Sequence, residues 1–212
     1  MGKEFLPVFE GWADSYDLTV SRKDNEYQEY FHNYDKILDM VTARSFGTVL
    51  EFGVGTGNLT KKLVSKGLDV IGIDPSNAMR SKAKEKIPEL EILDGDFDRY
   101  PDFDIAINSI VSTYAFHHLT DEDKGISIKK FYETLSPGGK VIFADVMFEN
   151  KEAYYQAISE AKENEYHNVL RDLQEEYYST LEVMKKPFLL NNFEISFIQC
   201  NRYVWLLEAT KK

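Results

Sequence analysis

The chain has 212 residues, of which 43% are hydrophobic and 14% aromatic, so its length and composition predict one globular domain with a full core and exclude disorder. Its 25 lysines and arginines against 36 aspartates and glutamates give a formal net charge of −11, which disfavours nucleic acid and acidic membrane surfaces as partners because both require clustered basic residues. A single cysteine, Cys200, and the lack of a signal-peptide pattern or an apolar run of about 18 residues predict a cytoplasmic protein.

Residues 1–45 are predicted to form an N-terminal helical cap. Aromatic side chains are frequent at its start, and a clearer helix follows in which apolar side chains repeat every three or four residues. The repeating positions are Tyr27, Tyr30, Phe31, Tyr34, Ile37, Leu38 and Val41.

Strand and helix patterns then alternate over residues 46–148, the predicted cofactor-binding core. Strands are predicted at 48–52, 69–73, 91–93, 103–109 and 140–144, with a turn at 136–139. Helices are predicted from the glycine-rich turn at 53–57 to about residue 66, at 76–86, and from a capping box formed by Thr120 and Asp123 to residue 135. Such alternation indicates a doubly wound α/β fold with a mostly parallel sheet.

After Asp145 the alternation stops. Residues 149–190 are predicted to form two or three helices, a helical insert that could act as a lid over the acceptor. Residues 191–212 are predicted to form an antiparallel hairpin, because only Cys200 and Asn201 separate two strand patterns.

The most informative motif is the turn after the first strand, Glu51-Phe-Gly53-Val-Gly55-Thr-Gly57-Asn58. Glycines allow a sharp turn and a close approach of a ligand to the main chain, at the edge where open α/β sheets bind ligands. Asn58 stands where a dinucleotide fingerprint has its third glycine, and no Gly-Lys-Ser/Thr occurs in this region. The turn therefore favours a ligand with a nucleoside but no pyrophosphate, and it disfavours a nicotinamide-dependent reductase.

Two acids follow the next two strands. Asp74 comes roughly 20 residues after Gly53, where a carboxylate can accept the ribose hydroxyl protons, although an aspartate before Pro75 is also an ordinary turn residue. Asp96 is the candidate contact for an adenine amino group, and Phe97 could pack on the ring face.

These motifs resemble the class I S-adenosylmethionine-dependent methyltransferases, as does Leu135-Ser-Pro-Gly-Gly139 before the fifth strand. More narrowly, Trp12-Ala-Asp-Ser-Tyr16-Asp17, Tyr114-Ala-Phe-His-His-Leu119 and Phe143-Ala-Asp145 resemble the YrrT-type uncharacterised bacterial methyltransferases. The resemblance implies a Rossmann-like fold and S-adenosyl-L-methionine as the cofactor, bound at Gly53, Asp74 and Asp96.

Three further residues are candidates with open alternatives. Glu51 could attract the ammonium group of the cofactor or could be a buried acid satisfied by backbone donors. His117 could be a general base, although a histidine that only shapes the pocket is the commoner case. Tyr16, with Trp12, could cover the cofactor or simply pack in the core. The pair His117-His118 has no cysteine or suitably spaced third histidine, so no metal site is predicted.

The function expected from these features is methyl transfer to a small-molecule acceptor by in-line displacement. Methyl transfer from a sulfonium depends mainly on orientation, so the lack of a catalytic triad is consistent with an enzyme. The alternative is a non-catalytic module that binds S-adenosylmethionine or S-adenosylhomocysteine as a sensor.

Overall fold

The computed structural model describes residues 6–212, apart from the side chains of residues 8, 9, 22 and 23. Residues 1–5 of the predicted cap therefore lie outside the described residues. The helices are α1 (Leu6–Trp12), α2 (Tyr16–Leu18), which continues into a π-helical turn (Thr19–Lys23), α3 (Tyr34–Arg44), α4 (Asn58–Ser65), α5 (Asn77–Lys86), α6 (Asp121–Thr134), α7 (Lys151–Glu163), α8 (His167–Glu175) and α9 (Leu181–Leu190).

Within this part of the chain, seven strands form one sheet in the order β3-β2-β1-β4-β5-β7-β6. They are β1 (Thr48–Phe52), β2 (Asp69–Ile73), β3 (Glu91–Leu93), β4 (Ile107–Thr113), β5 (Leu135–Val146), β6 (Phe193–Gln199) and β7 (Val204–Lys211). Strands β1 to β5 pair in parallel, and β7 pairs antiparallel with both β5 and β6. The predicted doubly wound α/β fold ending in an antiparallel hairpin is confirmed.

Helices cover both faces of the sheet because each face is apolar. One core cluster lies against α6, α9 and the hairpin and is rich in phenylalanine, including Phe52, Phe97, Phe116, Phe131 and Phe143. The other lies against α3, α4, α7 and α8 and includes Ile37, Val41, Leu63, Ala157 and Leu173. The helices of the insert therefore complete the core on both faces.

Three elements differ from the sequence-based prediction. The helix predicted around 27–41 begins only at Tyr34, because Asn33 adopts a left-handed backbone (φ 62°) that interrupts it. The fourth strand lies at Ile107–Thr113 rather than 103–109, because residues 109–112 are the ones that pair with β1. Ile105, within the predicted strand, is 54% exposed. The predicted turn at 136–139 lies within β5 as a bulge, where the register with β4 shifts between Ile107 and Ser109.

The carboxyl ends of the parallel strands meet at one edge, where Phe52 pairs with Ile73 and with Ser112. The glycine turn, Asp74 and the segment after β4 all begin at this edge. Among the described residues, none of the helices combines the length and apolar character that a membrane crossing requires.

Candidate active site

The glycine turn leaves β1 in a backbone conformation that favours glycine. Gly53, Gly55 and Gly57 all have positive φ, of 66°, 55° and 84°. At Gly53 a side chain is also excluded by space, because an added Cβ would lie 2.7 Å from the Cβ of Ala115. The turn is thus packed directly against the segment that follows β4.

Asp74 ties this turn to the end of β2. One carboxylate oxygen accepts a hydrogen bond from the backbone N–H of Gly55 and the other accepts one from Ser76, each at 2.8 Å. The residue is 3% exposed, and burial raises the pKa of its carboxyl to about 6. A carboxylate has about four acceptor positions, so each oxygen retains capacity for a ligand hydroxyl.

Glu51 is the second buried acid of the turn. It is 1% exposed, and its Oε2 atom has no hydrogen-bond partner among the described residues. Burial raises the pKa of Glu51 to about 8, because a low-dielectric site disfavours the charged form. A buried carboxyl oxygen without a partner is suited to a cationic ligand group.

Asp96 and Phe97 occupy different environments. Asp96 is 9% exposed, donates its backbone N–H to the carbonyl of Arg99, and accepts the N–H of Phe97 on its carboxylate. The ring of Phe97 lies in the core, where it stacks on Phe52 with ring centroids 5.1 Å apart. The structure therefore does not bring the Phe97 ring together with the other predicted cofactor residues.

The N-terminal segment, residues 6–23, lies across the same edge of the sheet. Glu10 accepts hydrogen bonds from the Ser76 hydroxyl (2.9 Å) and the Asn77 N–H (2.8 Å) at the start of α5. Asp17 accepts one from the Thr56 hydroxyl (2.7 Å) within the glycine turn. These contacts hold α1 and α2 over the turn.

Asp145, in β5, positions His117 in the short helical turn after β4. Its two oxygens bond the backbone N–H of His117 (2.8 Å) and the ring Nδ1 (2.5 Å). The other ring nitrogen, Nε2, lies 3.4 Å from Glu176 Oε2. Burial opposes charge on this ring, but the two carboxylates outweigh it and raise the pKa of His117 above its usual value.

Glu176 adds a third polar group to the histidine pair. Its Oε1 lies 3.6 Å from His118 Nδ1, and one ligand atom from each of the three residues falls within 4.8 Å of the others, so the group could hold a metal ion. A proton on His117 Nε2, favoured by the raised pKa, would occupy the atom that a metal needs. The expectation of no metal site stays a prediction.

A cavity of about 650 Å³ lies beside these groups. Its wall comes from residues between Gly11 and Phe31, the turn after β4, and the region of α8. The lining residues include Tyr16, Tyr30, Tyr114, His117, Glu176 and Tyr178. Because Ala115 packs on Gly53, this cavity and the glycine turn meet at residues 114–117.

The comparisons with known proteins agree with this architecture. A family model described as a methyltransferase domain matches residues 49–139. An uncharacterised methyltransferase of Geobacillus sp. (strain WCH70) is 51% identical, with 100% of both chains covered. The uncharacterised methyltransferase YrrT of Bacillus subtilis (strain 168) is 47% identical, again over 100% of both chains. The chain belongs to this methyltransferase family.

Solved structures show the same fold at low sequence identity. Magnesium protoporphyrin IX methyltransferase (ChlM) of Synechocystis PCC 6803, with bound SAM, matches with a TM-score of 0.68 at 16% identity, covering 97% of this chain and 96% of that one. The DhpI–SAH complex matches with a TM-score of 0.69 at 17% identity, covering 96% and 93%.

Three acids at the site of this methyltransferase were missed by sequence reasoning. Glu10 and Asp17 lie in a segment that was interpreted from its aromatic residues, and Glu176 lies in the insert. Each is brought to the site by tertiary packing. Asp17 stands in the motif quoted above for the family resemblance, but no site role was predicted for it. Asp145 was noted only within a motif, although its place at the end of a core strand was a usable signal.

Proposed function

We propose that this protein transfers a methyl group from S-adenosylmethionine to a small-molecule acceptor bound in the cavity beside His117. The observation that carries the proposal is the cradle of three positive-φ glycines with two buried carboxyl groups, those of Glu51 and Asp74. Membership of a methyltransferase family supports it.

The cofactor fits this cradle by charge and by hydrogen bonding. The partnerless Oε2 of Glu51 suits the ammonium group and supports the first of the two alternatives left open by the sequence. The carboxylate of Asp74 suits the ribose hydroxyls, and Asp96 suits the adenine amino group. Gly53, Gly55 and Gly57 let the ligand approach the backbone.

When bound, S-adenosylmethionine would supply an electrophilic methyl group for in-line displacement by an acceptor lone pair, with the sulfur as leaving group in the form of a neutral thioether. No acid is needed for that leaving group, so the protein has to orient the acceptor and remove its proton. His117, held by Asp145 through Nδ1, directs Nε2 to Glu176 on the cavity wall and is our candidate base. A buried base on the wall of this cavity favours an enzyme over a sensor.

Calorimetry with S-adenosylhomocysteine tests the cradle. Asp74→Asn should weaken binding about tenfold or more, because an amide cannot accept hydrogen bonds at both positions. Asp69→Asn is the matched control, since Asp69 is exposed at the far end of the same strand. A folded Asp74→Asn variant with unchanged affinity would refute the role of Asp74, and wild-type protein that ignores the ligand at millimolar concentration would refute the proposal.

Turnover separates the enzyme from the sensor. Protein incubated with methyl-labelled S-adenosylmethionine and a bacterial metabolite extract should form a labelled small molecule. His117→Ala should lose this product while retaining binding of S-adenosylhomocysteine. Tight cofactor binding without any labelled product would favour the sensor.

A further inference from the structure

The acceptor cavity carries an excess of negative charge. Four carboxylates line its described wall, against the single guanidinium of Arg171; they belong to Asp24, Asp172, Glu175 and Glu176. Arg171 hydrogen-bonds Asp172 with distances of 3.3 and 3.1 Å, so its charge is directed to that carboxylate. Glu176 instead faces His117 Nε2 at 3.4 Å.

These acids occupy an unfavourable position on their helix. Asp172, Glu175 and Glu176 lie in the last turn and the C-cap of α8, where unpaired carbonyl groups already present partial negative charge. Like charges three and four residues apart also repel each other. A cation bound in the cavity would offset both costs.

An unpartnered hydroxyl also lines this cavity. Tyr30 is 6% exposed, and its hydroxyl has no hydrogen-bond partner among the described residues. Two neighbouring tyrosines on the wall are already engaged, since Tyr27 donates to Asp172 and Tyr178 donates to Glu176. The Tyr30 hydroxyl is therefore a buried polar group without a protein partner, in a residue that lines this cavity.

Aromatic rings form much of the remaining wall. Phe31 lies between Tyr27 and Tyr114, with ring centroids 6.3 and 5.1 Å away. Trp12 and Tyr16 meet edge to face at 5.3 Å. Ring faces attract cations through their quadrupole, and the attraction grows when water is excluded.

We propose that the methyl acceptor is a small organic amine, which binds as an ammonium ion against Glu176 and the Tyr30 hydroxyl, among these rings. This inference rests on the proposed function and names its substrate class. A carboxylate acceptor would be repelled by Glu176 and by the other acids of this wall.

His117 is placed to take the proton that an ammonium acceptor must lose before methyl transfer. An ammonium ion has no lone pair, so it must lose one proton before its nitrogen can take the methyl group. Because Glu176 Oε2 lies 3.4 Å from His117 Nε2, an ammonium held by Glu176 lies beside a group that accepts this proton. The freed amine is then the nucleophile in the displacement described above, its product is the methylated ammonium, and His117 returns its proton to water.

Three probes of matched shape test the charge preference by calorimetry, with and without S-adenosylhomocysteine: phenethylamine, 2-phenylethanol and 3-phenylpropanoate. The amine should bind about tenfold or more tightly than either other probe. Glu176→Gln should abolish this preference, and Tyr30→Phe should weaken amine binding several-fold. Glu89→Gln, at an exposed site, and Tyr132→Phe, whose hydroxyl donates to the Lys212 carbonyl, are matched controls and should behave as wild type.

The arms of this experiment separate the two proposals. If the protein binds S-adenosylhomocysteine but shows no preference for the amine, or binds none of the probes, the amine inference is overturned and the proposed function stands. If it prefers the amine through Glu176 and Tyr30 but ignores the cofactor product, the cation site is supported and the proposed function fails.

Discussion

Asp145 controls which nitrogen of His117 faces the cavity. Because its carboxylate bonds the ring at Nδ1 and the backbone N–H of the same residue, the ring can present only Nε2 to Glu176. The two carboxylates raise the pKa of His117, while burial and the nearby Lys124 lower it. The buried neighbour His118 has its pKa lowered well below the usual value by burial and by His117, so the pair is expected to carry at most one positive charge near neutrality.

Replacing Asp145 by asparagine should lower the pKa of His117, because the amide removes a buried negative charge from the ring. A raised pKa keeps the base protonated, so wild-type turnover should rise as pH increases through that value. In Asp145→Asn this rise in turnover should occur at lower pH. Maximal turnover should fall by about 10²- to 10⁴-fold, because the ring loses its orientation.

The chain has only 4 histidines, so nitrogen NMR can follow the His117 titration without a known acceptor. Asp98→Asn, at an exposed site, is the control. An unchanged His117 titration in Asp145→Asn would contradict this account of the pair.

The residues of the proposed cofactor cradle could be predicted to lie together, because chain order alone places them at one edge of the sheet. Glu51 lies near the end of β1, and the three glycines and Asp74 come after β1 and β2, which end at one edge of a parallel sheet. Glu176 could not be found this way, because its contact with His117 depends on how α8 packs against the sheet. For Phe97, chain order predicted the position after β3 but not the direction of the side chain. Its ring packs on Phe52 in the core instead of lying at the edge of the sheet.

At the scale of elements, the glycine turn and the segment after β4 form one packed unit. Gly53→Ala combines a positive φ of 66° with a Cβ 2.7 Å from that of Ala115, whereas Gly67→Ala has a positive φ of 82° and nothing within 4 Å. We expect Gly67→Ala to cost about 1 kcal/mol of unfolding free energy, from backbone strain alone. Gly53→Ala should cost roughly 3 kcal/mol, from strain and overpacking together, and should weaken binding of S-adenosylhomocysteine.

Urea denaturation measures both costs. Adding Ala115→Gly to Gly53→Ala should recover the overpacking part while leaving the strain, and it should not rescue Gly67→Ala. Equal costs for the two alanine variants, or no recovery in the double variant, would show that the turn is not packed as described.

Helices and strands were predicted correctly where the local sequence pattern agrees with the pairing of strands in the folded sheet. Strands β1, β2 and β3 lie at the predicted residues, and the capping box at Thr120 begins α6, with the Asp123 N–H bonded to its hydroxyl. Strand β4 was misplaced because the apolar positions of 103–109 suggested a strand, whereas pairing with β1 decided the register.

At the scale of the whole molecule, the cavity is closed by two segments distant in sequence. Tyr27 of the N-terminal region donates to Asp172 of α8, and Glu26 accepts the N–H of Asn168 at 2.7 Å. Asn201, in the hairpin connection, donates to the Tyr30 carbonyl at 3.0 Å. The insert and the N-terminal region therefore meet over the cavity and are anchored together to the end of the sheet.

This closure predicts that a ligand in the cavity stabilises both segments at once. Hydrogen exchange measured with S-adenosylhomocysteine and phenethylamine present should slow over residues 16–33 and 167–178 together, because opening either segment breaks the contacts of both. The antiparallel pairs of β6 and β7 lie outside the cavity wall and should exchange at unchanged rates. Protection confined to one segment would mean that the other wall moves independently, and the shared closure would be wrong.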